Sequence, residues 1–145
     1  MFHSCKSSVV SDSPTSDDLR RLRLIGYWAH PDHESRWPDP RRFIDEAWDS
    51  EQRALVAGYL QRGLVARLFM GPARCRLCGR GVGNEEWSDG VFIWPEGLGH
   101  YVEEHSVRLP QEFIDHVEGH LTAFDDLEID ADWWTQVTGG RESDL

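Results

Sequence analysis

Apolar and polar positions change period several times along this 145-residue chain, and each change marks an element. From Leu19 to Trp28, leucines alternate with Arg20, Arg21 and Arg23, which fits a helix end or a strand with one solvated face. Trp37-Pro38-Asp39-Pro40 predicts a turn into a helix, with Asp39 as N-cap and Pro40 as first helical residue. Phe43, Ile44, Ala47 and Trp48 then form its apolar stripe. Asp49 caps the next predicted helix, with Gln52 three residues on as in a capping box. Leu55, Val56, Tyr59 and Leu60 form its expected buried face, and Gly63 ends it. Leu64 to Met70 is an apolar run that predicts a strand, broken by Gly71-Pro72.

The second half begins with Asn84 to Ser88, then Asp89-Gly90, a strong hairpin signal, then the strand-like Val91-Phe92-Ile93-Trp94, ended by Pro95. Leu98, Tyr101, Val102 and His105 recur at helical spacing. A last apolar stripe, Phe113, Ile114, Val117 and Leu121, predicts a helix opened by Leu109-Pro110. The pattern predicts an α+β fold. N-terminal helices lead to a cysteine knuckle, a β-hairpin and a helix, in the manner of treble-clef and two-Cys-two-His fingers, and a C-terminal helix follows. Residues 1–18, rich in serine and aspartate, read as a disordered leader holding His3 and Cys5. Residues 19–137 read as a single domain, long enough for one core, and 138–145 as a disordered tail. No internal repeat is visible.

The chemistry concentrates between Cys75 and His105. Cys75 and Cys78 stand in Cys-x2-Cys spacing with Gly79 directly after, which lets a tight turn aim both sulfurs at one point. His100 and His105 follow, and thiolate sulfur with imidazole nitrogen is the donor set of tetrahedral Zn2+. The gap of 21 residues between Cys78 and His100 is longer than in common fingers. Residues five apart on an ideal helix point about 140° apart. His100 and His105 therefore converge only where the helix loosens. His116 and His120, four apart on one helix face, are the rival ligand pair. A redox dithiol wants a βαβ setting that the pattern lacks, and two buried structural cysteines are the plain alternative. His30 to Glu34 holds metal-competent residues but reads as a surface loop. The acidic stretch from Asp125 to Asp132 lacks the spacing and central glycine of a calcium loop.

Composition narrows the function. The formal charge of −11 opposes generic binding to nucleic acid and favours a basic protein partner. No run is apolar enough for a membrane helix, and the N-terminus has no credible signal peptide. Three cysteines, one in the leader, argue against a disulfide framework and fit a reducing cytoplasm. Lys6 is the sole lysine beside abundant arginine, glycine and alanine, a usage that points to a high-GC bacterium.

Three functions follow. The favoured one is a zinc-stabilised protein-interaction module, of the immunity or accessory kind, with a closed site and structural Zn2+. Its candidate contact residues are Arg74, Arg76, Arg80, Trp133 and Trp134. A metalloenzyme would need an open coordination position and a general base, and the chain has neither a His-Glu-x-x-His nor a deaminase motif. A nucleic-acid-binding finger would work through Arg74, Arg76 and Arg80.

Gly26-Tyr27-Trp28, Trp37 to Pro40, Tyr59 to Gly63, Cys75 to Gly79 and Asp89 to Pro110 together resemble a family of small uncharacterised bacterial proteins, with motifs CRxCG and DGxxxWPEGLxHYVxxHxVxLP. The resemblance covers about two thirds of the chain. It implies that Cys75, Cys78, His100 and His105 belong together, and it brings no activity.

Overall fold

The computed structural model describes residues 21–69 and 71–140. The leader expected over 1–18 and residues 141–145 of the expected tail lie outside them. The fold is α+β, and the chain divides at Pro110 into two compact units.

The first unit holds strand β1 (Arg23–Leu24), a 3-10 turn (Pro40–Phe43), helix α1 (Ser50–Leu60), strands β2 (Leu64–Leu68), β3 (Glu85–Ser88) and β4 (Phe92–Pro95), and helix α2 (Leu98–His105). The sheet order is β1-β4-β3-β2, with β1 parallel to β4 and the other pairs antiparallel. β4 is central because Phe92, Ile93 and Trp94 are all apolar and all buried. Trp94 is fully enclosed, and its indole N–H donates to the Leu60 carbonyl at 3.0 Å, which ties the sheet to the end of α1. α1 packs on α2, with Val56, Ala57, Leu60, Leu98 and Val102 in the core.

Local chemistry explains most boundaries. The Asp49 carboxylate accepts from the Gln52 N–H at 2.9 Å and starts α1. The Gln52 side chain turns away from the cap and accepts from the Trp48 indole at 2.6 Å. β3 and β4 are joined through Asp89, Gly90 and Val91, and Asp89 Oδ1 accepts from the N–H of Val91 and Phe92.

Several expectations need correction. The helix expected after Pro40 is a single 3-10 turn, although Asp39 does cap it. Asp45 stops it. Its N–H donates to the Ser106 carbonyl, and its carboxylate accepts from Ala47 N–H and from Arg108. Ile44 is then free to bridge Val107 as extended chain. Leu55, expected inside, is exposed, and Ala57 takes its place in the core. The apolar run from Leu64 does form a strand, β2, and every residue in it is exposed. It is the edge strand, so its apolar content marks a half-covered position in the sheet.

The second unit holds α3 (Gln111–Asp125) and α4 (Ala131–Thr138). Phe113, Ile114 and Val117 are the buried positions of α3. Asp130 caps α4 by accepting from the Trp133 N–H at 3.0 Å, and Gly139 closes it in the left-handed region. The irregular tail expected from Thr138 thus begins at least one residue later. No residue of α4 is buried, and Trp133 and Trp134 are both exposed. No helix among the described residues is long and apolar enough to cross a membrane.

Candidate metal centre

The turn that carries the cysteines is built by backbone hydrogen bonds. The chain runs in and out as a short ladder, with Ala73 N–H to Gly83 O, Val82 N–H to Ala73 O and Cys75 N–H to Arg80 O, all between 2.7 and 3.0 Å. Within it, Gly79 N–H returns to Cys75 O at 2.8 Å, and Gly79 sits at φ +74°, in the left-handed region where a Cβ would strain the turn. The Leu77 N–H points at Cys75 Sγ at 3.4 Å. Such an N–H stabilises negative charge on the sulfur.

Helix α2 brings the histidines. His100 lies in its first turn and His105 is its last residue. The helix loosens only after His105, not before it. Ser106 N–H reaches back five residues to Tyr101 O, Val107 N–H reaches the same carbonyl at 3.1 Å, and Ser106 adopts φ 54°. His105 itself is still helical, and the two imidazoles meet edge to face, 5.0 Å between centroids, despite their angular separation on a regular helix.

The four candidate donor atoms of Cys75, Cys78, His100 and His105 all lie within 4.8 Å of one another. Cys78 Sγ is 3.3 Å from His100 Nε2. A tetrahedron with Zn–S near 2.3 Å and Zn–N near 2.0 Å has a sulfur–nitrogen edge of about 3.5 Å. His105 Nε2 is buried and has no hydrogen-bond partner among the described residues. A buried polar atom left so costs about 1–3 kcal/mol unless something binds it. Burial, then the neighbouring His105 and Arg80, hold the His100 imidazole below its ordinary range, which keeps it neutral and able to donate a lone pair. The cluster can hold a metal ion. His116 and His120 are not among these four; they stand in the second unit with ring centroids 5.4 Å apart.

Tyr101 couples the turn to the helix. Its hydroxyl accepts from the Arg76 N–H at 2.7 Å and is also hydrogen-bonded to Cys75. Burial, followed by the Cys75 charge, pushes its phenol up to about 12. Cys75, Tyr101 and Val107 form a small core beneath the site, with Trp28, Leu77 and Val82 against it. Sequence spacing placed Tyr101 in a helix stripe but gave no sign that its hydroxyl meets the cysteine turn.

Arg74 and Arg76 direct their guanidinium N–H groups to backbone carbonyls of the turn, Gly79 O and Arg74 O respectively. Arg80 is exposed. A second polar group escaped the sequence reading. Glu86, fully buried in β3, accepts from Arg67 Nε at 2.5 Å and from the Tyr27 hydroxyl. The signal for it is the strand period, which points Glu86 and Ser88 inward and Trp87 outward.

No family model, curated protein or solved structure matches the chain.

Proposed function

We propose that this protein is a zinc-stabilised protein-interaction module, in which Cys75, Cys78, His100 and His105 hold a structural Zn2+. The observation that carries the reading is the convergence of two sulfurs and two imidazoles within 4.8 Å. Two thiolates and two imidazoles fill a zinc tetrahedron and leave no position for water or substrate, which favours a structural site over a catalytic one. The ion would bridge the cysteine turn to both ends of α2, joining segments that the backbone brings together only through loops. The engagement of Arg74 and Arg76 with carbonyls supports their role as turn braces rather than phosphate contacts. The net charge of −11 supports a basic polypeptide as partner.

Metal analysis of the full chain tests the site. The expected result is one zinc per chain, lost in Cys75→Ser and in His105→Ala. Substitution by Co2+ should give the visible spectrum of a tetrahedral two-thiolate site. Full zinc retention in both variants, or a native protein with no bound metal after growth in zinc-rich medium, would refute the assignment.

A further inference from the structure

The second unit has a composition unlike the first. Between Gln111 and Gly140 there are eight carboxylates and no lysine or arginine. Among those carboxylates stand large apolar side chains that the fold leaves in solvent. Ile129 is 95% exposed, Trp133 60% and Trp134 59%, and Phe124, Leu127 and Val137 are comparably bare. On α4, Trp133 and Val137 are four apart and Trp134 and Val137 three apart, so the three share one face. The Asp130 cap and Asp132 border that face at its start. Exposed tryptophans inside a charged rim are the usual composition of a protein contact site.

We infer that the α3–α4 connection and the apolar face of α4 form a docking surface for a basic, amphipathic polypeptide segment. Charge selects this occupant. A second copy of the chain would bring the same carboxylates face to face. Nucleic acid and anionic lipid would meet the same repulsion. A segment with lysine or arginine flanking an apolar stripe satisfies both features at once: its cations pair with the rim while its apolar side chains cover Trp133, Trp134 and Val137. The proposal deepens the interaction-module reading and rests on it for the surface's role, but it uses none of the metal ligands.

The test uses the full chain and a synthetic peptide of roughly 20 residues with leucine and arginine at helical spacing. Binding is followed by calorimetry, with zinc content measured on the same samples. The expected result is saturable binding that weakens with salt and falls about tenfold or more in the Trp133→Ala/Trp134→Ala variant. Because both rings are exposed, that variant should keep its zinc and its melting temperature. A scrambled peptide of identical composition should bind distinctly less well. Equal affinity for wild type and the double variant would overturn the proposal, because charge alone would then explain the binding. So would adsorption to anionic vesicles, or self-association in sedimentation that the double variant abolishes. A chain that binds the peptide but carries no zinc rejects the metal reading and upholds this one. A zinc-loaded chain that ignores the peptide does the reverse.

Discussion

Tyr101→Phe is the most incisive perturbation of the centre, because it removes one oxygen and leaves the ring. Tyr101 is 5% exposed and packs between Trp28 and His105, so phenylalanine keeps those contacts. What disappears is the acceptor for the Arg76 N–H and the hydroxyl contact to Cys75. The first loss leaves a backbone donor in a half-buried turn without its partner, a penalty of about 1–3 kcal/mol. For a unit of this size, each kcal/mol lowers the melting temperature by about 4–8 °C. The second loss touches Cys75, a proposed ligand, and hydrogen bonds to metal ligands typically carry about 10- to 100-fold in metal affinity. The assay pairs urea denaturation of the metal-loaded protein with competition against a chromophoric chelator. The expected outcome is a drop in both, with metal stoichiometry unchanged. A variant that melts with wild type and yields its metal no faster would refute the coupling of turn and helix through this hydroxyl.

Gly26→Ala should destabilise by about 1–3 kcal/mol in urea unfolding, since Gly26 sits at φ +81° and an added Cβ would stand 2.7 Å from the buried Leu98 side chain. An unchanged midpoint would contradict the close approach of Gly26 to Leu98. Arg67→Ala should lower the urea midpoint by leaving Glu86 without its cation, and adding Glu86→Gln should restore part of the loss. Additive effects in that cycle would show that the two side chains do not interact. Tyr27 and Tyr59 are raised above the ordinary phenol range by burial and then by hydrogen bonds to Glu86 and Asp89. A raised folded value means that the unfolded chain releases these protons first. Their contribution is therefore intact below about pH 10 and is lost as pH rises beyond it. Tyrosinate absorbance in the native protein should thus appear only well above pH 10, and a normal titration in the folded state would contradict both hydrogen bonds.

What the sequence revealed and what it hid divide along physical lines. Caps were legible at Asp39 and Asp49 because a short acceptor side chain satisfies a nearby N–H whatever the tertiary surroundings. The hairpin at Asp89-Gly90 and the α2 stripe were legible for the same local reason. The four-residue cluster could be guessed from spacing, yet the way the chain leaves it, at Ser106, is fixed by long-range bonds to Phe43 and Asp45 that no local pattern announces. Elsewhere tertiary context decided. In β3, Trp87 is turned outward and Glu86 inward, because a cation and a phenol from distant segments await the carboxylate. The strand at Leu64 was legible from its apolar run, but hydrophobicity alone does not tell a central strand from the outermost described one, where Leu64 and Leu68 lie exposed.

That outermost strand has a consequence for how molecules behave in a crowd. Among the described residues β2 has a neighbouring strand on one side alone, and its leucines are bare, the arrangement by which neighbouring chains stick rim to rim. Its pairing with β3 slips between Val65 and Arg67. Such an irregularity interrupts the ladder, and the cationic Arg67 stands at it. Two rims interrupted in this way pair less evenly than two regular ones, which disfavours strand-to-strand association between molecules.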